Sequence, residues 1–390
     1  MRHDVSVLHR FVVLYALMYA AFGVSSPFMP AFFEGRGLAP EQLGILLGAG
    51  TAIRLVSGPL AGRLADRTQA LRAVLAVCEL LAAAVALGLL STSGFTSLFL
   101  MSLLHAAALA PTTSLADALA LGAAQPRDAH PTFEYGWVRG TGSAVFVIGT
   151  LLSGQIVDAW GLAAIIVLQA AFLVAAAGAA TLVPAHERHE PMAPAQRADP
   201  AGVVALLRMP LFRRVMLVSA LVLGSHAMHD TFAVIRWSAA GVTPATASAL
   251  WSTSVAAEVV VFFFIGPPLL TRLQPAGVLA VAAVAGVVRW VVMASFTSVI
   301  ALALVQPLHG LTFAALHLAC MRLIPAIVPQ HLAATAQAMY AFGAGMTTAL
   351  LTLASGWLYA TLGAHGFLVM ALLCAVVPPL TRRLRGIESQ

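Results

Sequence analysis

Charged and titratable residues interrupt otherwise apolar stretches in the second half of this sequence. "GSHAMHDTF" carries His226, His229 and Asp230 at i, i+3 and i+4, which places all three on one helix face. "LWSTSVAAEVVVFF" carries Glu258 seven residues after Trp251, again on one face. "GVVRWVVM" holds Arg289 beside Trp290, and "LHGLTFAALHLACMR" holds His309 and His317. A carboxylate, a guanidinium and an imidazole on consecutive apolar segments are a set that can take up, balance and hand on a proton. For His309 and His317 singly, a hydrogen bond between helices is the plainer role. For His229 and Asp230 it is simple hydration, since they fall toward the outer end of their segment.

The first half has its own inventory of Arg54, Glu79, Asp117, Glu134 and Arg139. Asp117 and Arg139 fall at similar depth on consecutive segments, which predicts an ion pair, either structural or functional. Gly136, Gly140, Gly142 and Ser143 in "FEYGWVRGTGSAVF" predict close helix packing there.

Other chemistries find little support. Two histidines and an aspartate on one helix face could begin a zinc site, but a third or fourth ligand must come from elsewhere, and none stands at ligand spacing. Cys78, Cys320 and Cys374 sit in apolar runs at unrelated spacings, giving neither a metal motif nor a disulfide framework. No G-x-x-x-x-G-K-[ST] loop occurs, which disfavours ATP-driven work. No nucleophile and base cluster at one membrane face as a membrane enzyme would want, and no added soluble domain marks a sensor. No cofactor is implied.

The elements that position these residues follow from composition. The 390-residue chain is 60% hydrophobic and 9% charged, with a mean hydropathy of +0.92. Soluble domains carry about 25% charged residues, so this is a membrane protein. Spans need about 20 apolar residues. In the first half they are predicted near 11–33, 42–64, 71–92, 96–121, 135–158 and 162–184. In the second half they fall near 211–237, 246–268, 276–295, 298–324, 332–361 and 363–380. The first, after a basic start, is too long for a signal-peptide core and reads as an uncleaved span. "PAHERHEPMAPAQRADPAG" divides the chain into a six-helix bundle over 1–184, a cytoplasmic linker of little fixed structure over 185–210, and a second six-helix bundle over 211–390.

All 21 basic residues are arginine. With both termini cytoplasmic, sixteen arginines fall inside, only Arg36 and Arg236 outside, and Arg54, Arg139 and Arg289 within spans, as the positive-inside rule requires. Topology therefore accounts for the net charge of +6, and no nucleic-acid partner is inferred. The expected setting is a cell inner membrane, with lipid as surroundings and the chain as a monomer.

Six plus six spans about a central linker is the layout of the major facilitator superfamily, an all-α membrane fold of two pseudo-symmetric bundles. "GRLADRTQALR" after the second span resembles that superfamily's loop motif at Gly62, Leu64, Ala65, Asp66 and Arg67, with Gln69 where a second glycine is usual. The corresponding "GPPLLTRLQP" keeps Gly266 and Arg272 without an acid. Asp66 and Arg67 are thus candidate inner-gate residues; for Asp66 the alternative is a charge capping a helix.

A narrower resemblance runs from about residue 11 to 375. "SPFMP", "GLAPEQLGILLGAGTAIR", "SLADALA" and "YGWVRGTGSAVFVIG", followed by the second-half segments quoted above, resemble the phenylpropionate permeases, which are related to lactose-permease-type symporters. The resemblance carries over Arg54, Asp117, Tyr135, Arg139, His226, Trp251, Glu258, Arg289, Trp290, His309 and His317. It breaks at His229 and Asp230, where the family has two tyrosines, and at Gly140, where a tryptophan is favoured.

It implies proton-coupled import of a small organic acid, with a phenylpropionate-like aromatic carboxylate as the substrate class. Expected proton-coupling residues are Glu258, His317, Asp117 and His226. Expected substrate contacts are Arg54, Arg289, Arg139, Tyr15, Tyr19, Trp251, Trp290, His309, His229 and Asp230, with Phe22 extending the aromatic wall. The alternatives are proton-driven efflux of an amphipathic compound, for which a proline in helix five is missing, and uptake of a sugar-like or nucleoside-like solute.

Overall fold

The computed structural model describes residues 2–124, 133–184, 200–382 and 384, and its regular structure is helical throughout. Aliphatic, alanine-rich segments leave no choice in lipid: with no water to bond the peptide groups, a spanning segment must satisfy them within itself. In the first half α1 is Arg2–Ser25, α2 Pro40–Thr68, α3 Leu71–Ser91, α4 Phe95–Ala124, α5 Tyr135–Trp160 and α6 Ala163–Leu182. In the second half α7 comes in two pieces, Pro210–Gly224 and Ala227–Ala239. It breaks at "GSH", where the His226 amide donates to the Leu223 carbonyl at 3.1 Å and tightens the turn.

Among the described residues ten helical stretches are long and apolar enough to cross a membrane, and two of these run 52 residues, Pro244–Ser295 and Gln330–Thr381. Fifty-two helical residues span about 78 Å at 1.5 Å each, more than twice the roughly 30 Å of a hydrocarbon core. Each therefore doubles back once, giving twelve crossings. The first turns at Gln274, whose φ of 58° and ψ of 161° are non-helical. It separates α8, which starts as Pro244–Val260, from α9, residues 275–295. The second turns at Gly363, with φ of 54°, and separates α11 (Ala333–Leu362) from α12, which comprises Gly366–Ala375 and Val377–Thr381. Between these lies α10, Val299–Ile327.

Two compact units make up the chain. The first comprises Met1–Leu38, Ala49–Glu190 and Thr243–Ala249; the second comprises Ala39–Gly48, Pro191–Val242 and Leu250–Gln390. In the first unit α1 packs on α5 and α6, and α3 on α4 and α6. Gly23 makes the α1–α5 approach possible, since a Cβ there would lie 2.5 Å from the Phe146 carbonyl oxygen. In the second unit α9 packs on α12, and α11 on the first piece of α7.

The expected linker contains a helix. Residues 185–199 lie outside the described residues, but Pro200–Arg208 forms a helix that buries Leu206 completely. Leu206 is the side chain it buries, while Val204 and Leu207 stay exposed.

The two superfamily-like loops share a backbone feature. Gln69 and Gln274 each stand two residues after an arginine, Arg67 and Arg272, and both have positive φ, 52° and 58°. They are the two non-glycine residues with positive φ among those described. The Gln274 conformation lies in a region populated almost solely by glycine, at a cost of about 1–3 kcal/mol for other residues. Gln274→Gly is expected to raise the melting temperature of the purified protein, and β-branched Gln274→Val to lower it. Equal melting temperatures for the two variants would refute the strained turn.

Candidate functional site

Arg289 organises the second unit. It sits on α9 with no exposed surface, and its guanidinium carbon lies 4.6 Å from the centre of the Trp290 ring. Nη1 contacts His309 Nδ1 at 2.8 Å, and Nη2 donates to Gln306 Oε1 at 3.0 Å and reaches His229 Nε2 at 3.5 Å. A guanidinium can only donate, so His309 Nδ1 and His229 Nε2 must accept. The hydrogen of each ring then sits on the other nitrogen, an assignment that follows from the network. His309 Nε2 faces Glu258 Oε1 at 2.7 Å, and His229 Nδ1 faces Asp230 Oδ1 at 3.1 Å. Two arms result, Arg289–His309–Glu258 and Arg289–His229–Asp230, each linking one cation to one carboxylate through a neutral imidazole.

The local backbone builds these arms. On α10 a tight turn at Gln306–Leu308, opened by Pro307, presents Gln306 and His309 on the side of Arg289. A wider π-helical turn follows at Leu311–Ala315, matched on α8 by another at Val261–Ile265, three residues after Glu258. Such turns recur at functional sites. The helices touch at Gly310, where a Cβ would lie 2.6 Å from the Ala257 carbonyl oxygen and 2.7 Å from Val261 Cγ2. That backbone-to-backbone approach brings His309 within bonding distance of the residue after Ala257.

Aromatic groups wall the cluster. His229 stacks on Trp251, with centroids 5.0 Å apart and planes 26° from parallel. His226 lies 4.7 Å from the His309 ring, and its Nε2 meets Thr312 Oγ1 at 2.9 Å. Since the Thr312 hydroxyl donates to the His309 carbonyl at 3.2 Å, its oxygen is left to accept from His226. Trp290 is wholly buried and donates Nε1–H to Ser225 Oγ at 2.9 Å. His317 stands elsewhere, between Phe262 and Tyr340, whose hydroxyl lies 3.4 Å from its Nδ1. Spacing along α10 could not separate it from His309. Gln306 and Thr312 were missed because neither is charged; the signal in "VQPLHG" was a lone amide beside a proline in an apolar span.

In the first unit, Asp117 Oδ1 accepts from Tyr15 at 2.5 Å and from Tyr135 at 2.8 Å. The expected pairing with Arg139 is replaced by these two phenols, and the Arg139 guanidinium lies over the Tyr19 ring at 5.1 Å. The phenols satisfy Asp117 from α1 and α5 without placing a second charge beside it. Tyr15 and Tyr19 stack at 5.9 Å, and Phe22 meets Tyr19 edge-on at 5.4 Å. Gly142 admits the Tyr19 ring, which lies 2.8 Å from where a Cβ would be. Arg54 on α2 is exposed and lies within electrostatic range of buried His105. Glu79 is buried without a hydrogen bond to either oxygen among the described residues. Asp66 and Arg67 are exposed or nearly so near the end of α2, where the Gln69 amide caps the Asp66 carbonyl at 2.5 Å.

Gly310→Ala is expected to force α8 and α10 apart. Overpacking of this kind costs about 1–3 kcal/mol, which should appear as a melting temperature lowered by several degrees. Gly178→Ala, at a position with open space around it, should leave stability unchanged or improve it. Equal effects would show that the α8–α10 contact is not tight.

Comparison with known proteins agrees with the geometry. Residues 8–369 match the model of the MFS_1 like family. The "Probable 3-phenylpropionic acid transporter" of Escherichia coli (strain K12) is 31% identical over 377 residues, covering 96% of this chain and 97% of that protein. "Uncharacterized transporter YwbF" of Bacillus subtilis (strain 168) is 22% identical, covering 92% and 88%. Among solved structures, a point mutant of the nucleoside transporter NupG superposes with a TM-score of 0.85 at 17% identity, covering 96% of this chain and 98% of that one. A bacterial homologue of the human lysosomal transporter Spinster, inward-facing and occupied, gives 0.76 at 14% identity, covering 98% and 96%. At such identities these two show the fold alone. Buried ionisable arms in a twelve-crossing helical chain, with relatives that are transporters and not enzymes, lead to one conclusion: this chain is a multi-pass membrane transporter of the MFS_1-like family, in the major facilitator fold.

Proposed function

We propose that this transporter couples proton entry to import of a small organic carboxylate, with 3-phenylpropionate-like aromatic acids as its substrate class, by alternating access in a bacterial inner membrane. The observation that carries the coupling is the Arg289–His309–Glu258 arm. Glu258 keeps 21% of its side-chain surface open, while His309 ties its charge to a fully enclosed cation. A proton on Glu258 removes the negative charge from that bond and with it the charge-assisted part of its strength. Arg289 then loses the counter-charge of that arm, and the hydrogen-bonding of the unit must readjust. The substrate class rests on the Escherichia coli relative's name.

The geometry also bears on which arginine meets the substrate. Arg289 has spent both terminal nitrogens on protein acceptors and has no exposed surface. Arg54 is exposed, and a free guanidinium offers a carboxylate two parallel donors. Arg54 is therefore the assigned carboxylate anchor and Arg289 a positioning charge. Arginine placement supports cytoplasmic termini, the polar stretch between the two halves supports a six-plus-six division with a linker at 185–210, and the chain is taken to act as a monomer in lipid.

In proteoliposomes, an inward proton gradient should accelerate 3-phenylpropionate entry, and uptake at the same rate without a gradient would overturn symport. Glu258→Gln should abolish accumulation while exchange of labelled for unlabelled substrate stays measurable; intact accumulation would remove Glu258 from the coupling. Arg54→Gln should raise the half-saturating concentration by about tenfold or more, since hydrogen bonds to charged groups contribute about 1.5–3 kcal/mol. An unchanged value would exclude Arg54 as the anchor.

A further inference from the structure

The charges around Arg289 do not balance. Facing it are Glu258 from α8, Asp230 with His229 and His226 from α7, and His309 with Gln306 from α10. The hydrogen-bond directions leave His309 and His229 neutral, so the cluster holds one positive and two negative charges. The fields of both carboxylates reach Arg289, and that of Asp230 reaches Glu258. One guanidinium can offset one carboxylate. A second unbalanced charge inside a membrane-spanning bundle is costly and is met by a partner or a proton. The two acids also differ in exposure, since Asp230 keeps 52% of its side-chain surface against 21% for Glu258.

We propose that Asp230 is a second proton-exchanging carboxylate of this site, competing with Glu258 for the single positive charge of Arg289 through the His229 arm. This rests on the reading of the site as a proton-coupling centre, and it adds a binding position for a proton that Glu258 does not supply. When Glu258 is ionised, Arg289 balances it and the proton resides on Asp230. When Glu258 takes a proton, Asp230 gives its own to water and becomes the counter-charge through His229. The proton moves between carboxyl oxygen and water at each acid, and no covalent bond other than O–H changes. The half-open position of Asp230 makes it the acid that exchanges first with the aqueous side.

Infrared difference spectra of the purified, substrate-free protein between acid and alkaline pH test this directly, because a protonated carboxyl has its own C=O band. The parent should show separate bands lost in Asp230→Asn and in Glu258→Gln. Asp230→Asn should also move the midpoint at which the Glu258 band titrates by about one pH unit or more, as expected for coupled acids. Asp230→Glu should restore a carboxyl band. His229→Asn, which keeps the acid but cuts its link to Arg289, should uncouple the two titrations. A melting curve establishes that each variant is folded, and any two of the four suffice. If Asp230→Asn leaves the spectrum and the Glu258 midpoint of the parent, the second site is overturned. If Glu258→Gln changes neither the spectrum nor accumulation, the proton-coupling reading fails with it. A loss confined to Glu258→Gln removes Asp230 alone.

Discussion

A full positive charge with no exposed surface, Arg289 in a membrane-spanning bundle, is the constraint on which the second unit is built. Such a charge is tolerated only when it is paired and hydrogen-bonded, and here its terminal nitrogens are, while Nε has no hydrogen-bond partner among the described residues. Gln306, His309 and His229 accept from its terminal nitrogens, and two carboxylates stand behind the imidazoles. These partners come from three helices other than α9, so the helices must approach closely and at set depth. The broken α7, the turn opened by Pro307, the paired π-helical turns and the Gly310 contact all contribute to that register. A straight helical bundle would bury the arginine without presenting this set of acceptors.

The first unit solves a similar problem differently. Asp117 takes two phenol hydrogen bonds and Arg139 takes a ring face, so charge is stabilised by dipoles and a quadrupole instead of an opposite charge. A salt bridge at this depth would lock two helices together, whereas phenols and rings exchange partners at lower cost. The aromatic column of Tyr15, Tyr19 and Phe22 thereby serves both packing and polarity.

Much of the fold was readable because hydropathy reports burial in lipid directly. Twelve crossings and a central polar stretch emerge from run lengths alone, and even the close "LGAHG" separation holds, since Gly363 turns the chain there. What hydropathy cannot report is helix geometry within a span. Neither the break at Ser225–His226 nor the π-helical turns alter composition, yet they decide which side chains meet. The charged members of the site stood out against apolar neighbours, so Glu258, Arg289 and His309 were legible as a set. Their wiring was not: His229 and Asp230 read as substrate contacts, or as hydrated polarity at a span's end, with no link to Arg289, and Gln306 carried no charge to mark it. The Asp117–Arg139 expectation failed because depth was read and direction was not. Opposite charges at one level on neighbouring helices still point by the phase of each helix, which Tyr15 and Tyr135 exploit.

The two arms of Arg289 also bear on how one site can respond in two ways. An imidazole that accepts on one side and donates on the other transmits the state of its carboxylate without carrying charge itself. With a single arm, proton uptake would leave the enclosed guanidinium without a counter-charge, the costly case for a buried ion pair. With two arms, the charge lost at Glu258 is replaced from Asp230, and the guanidinium stays balanced throughout. The cost of the protonation step is then set by exchanging one neutral-imidazole contact for another, His309 at 2.8 Å or His229 at 3.5 Å. The His309 contact is the shorter of the two, so the Glu258 arm is the more closely joined to the guanidinium in this structure.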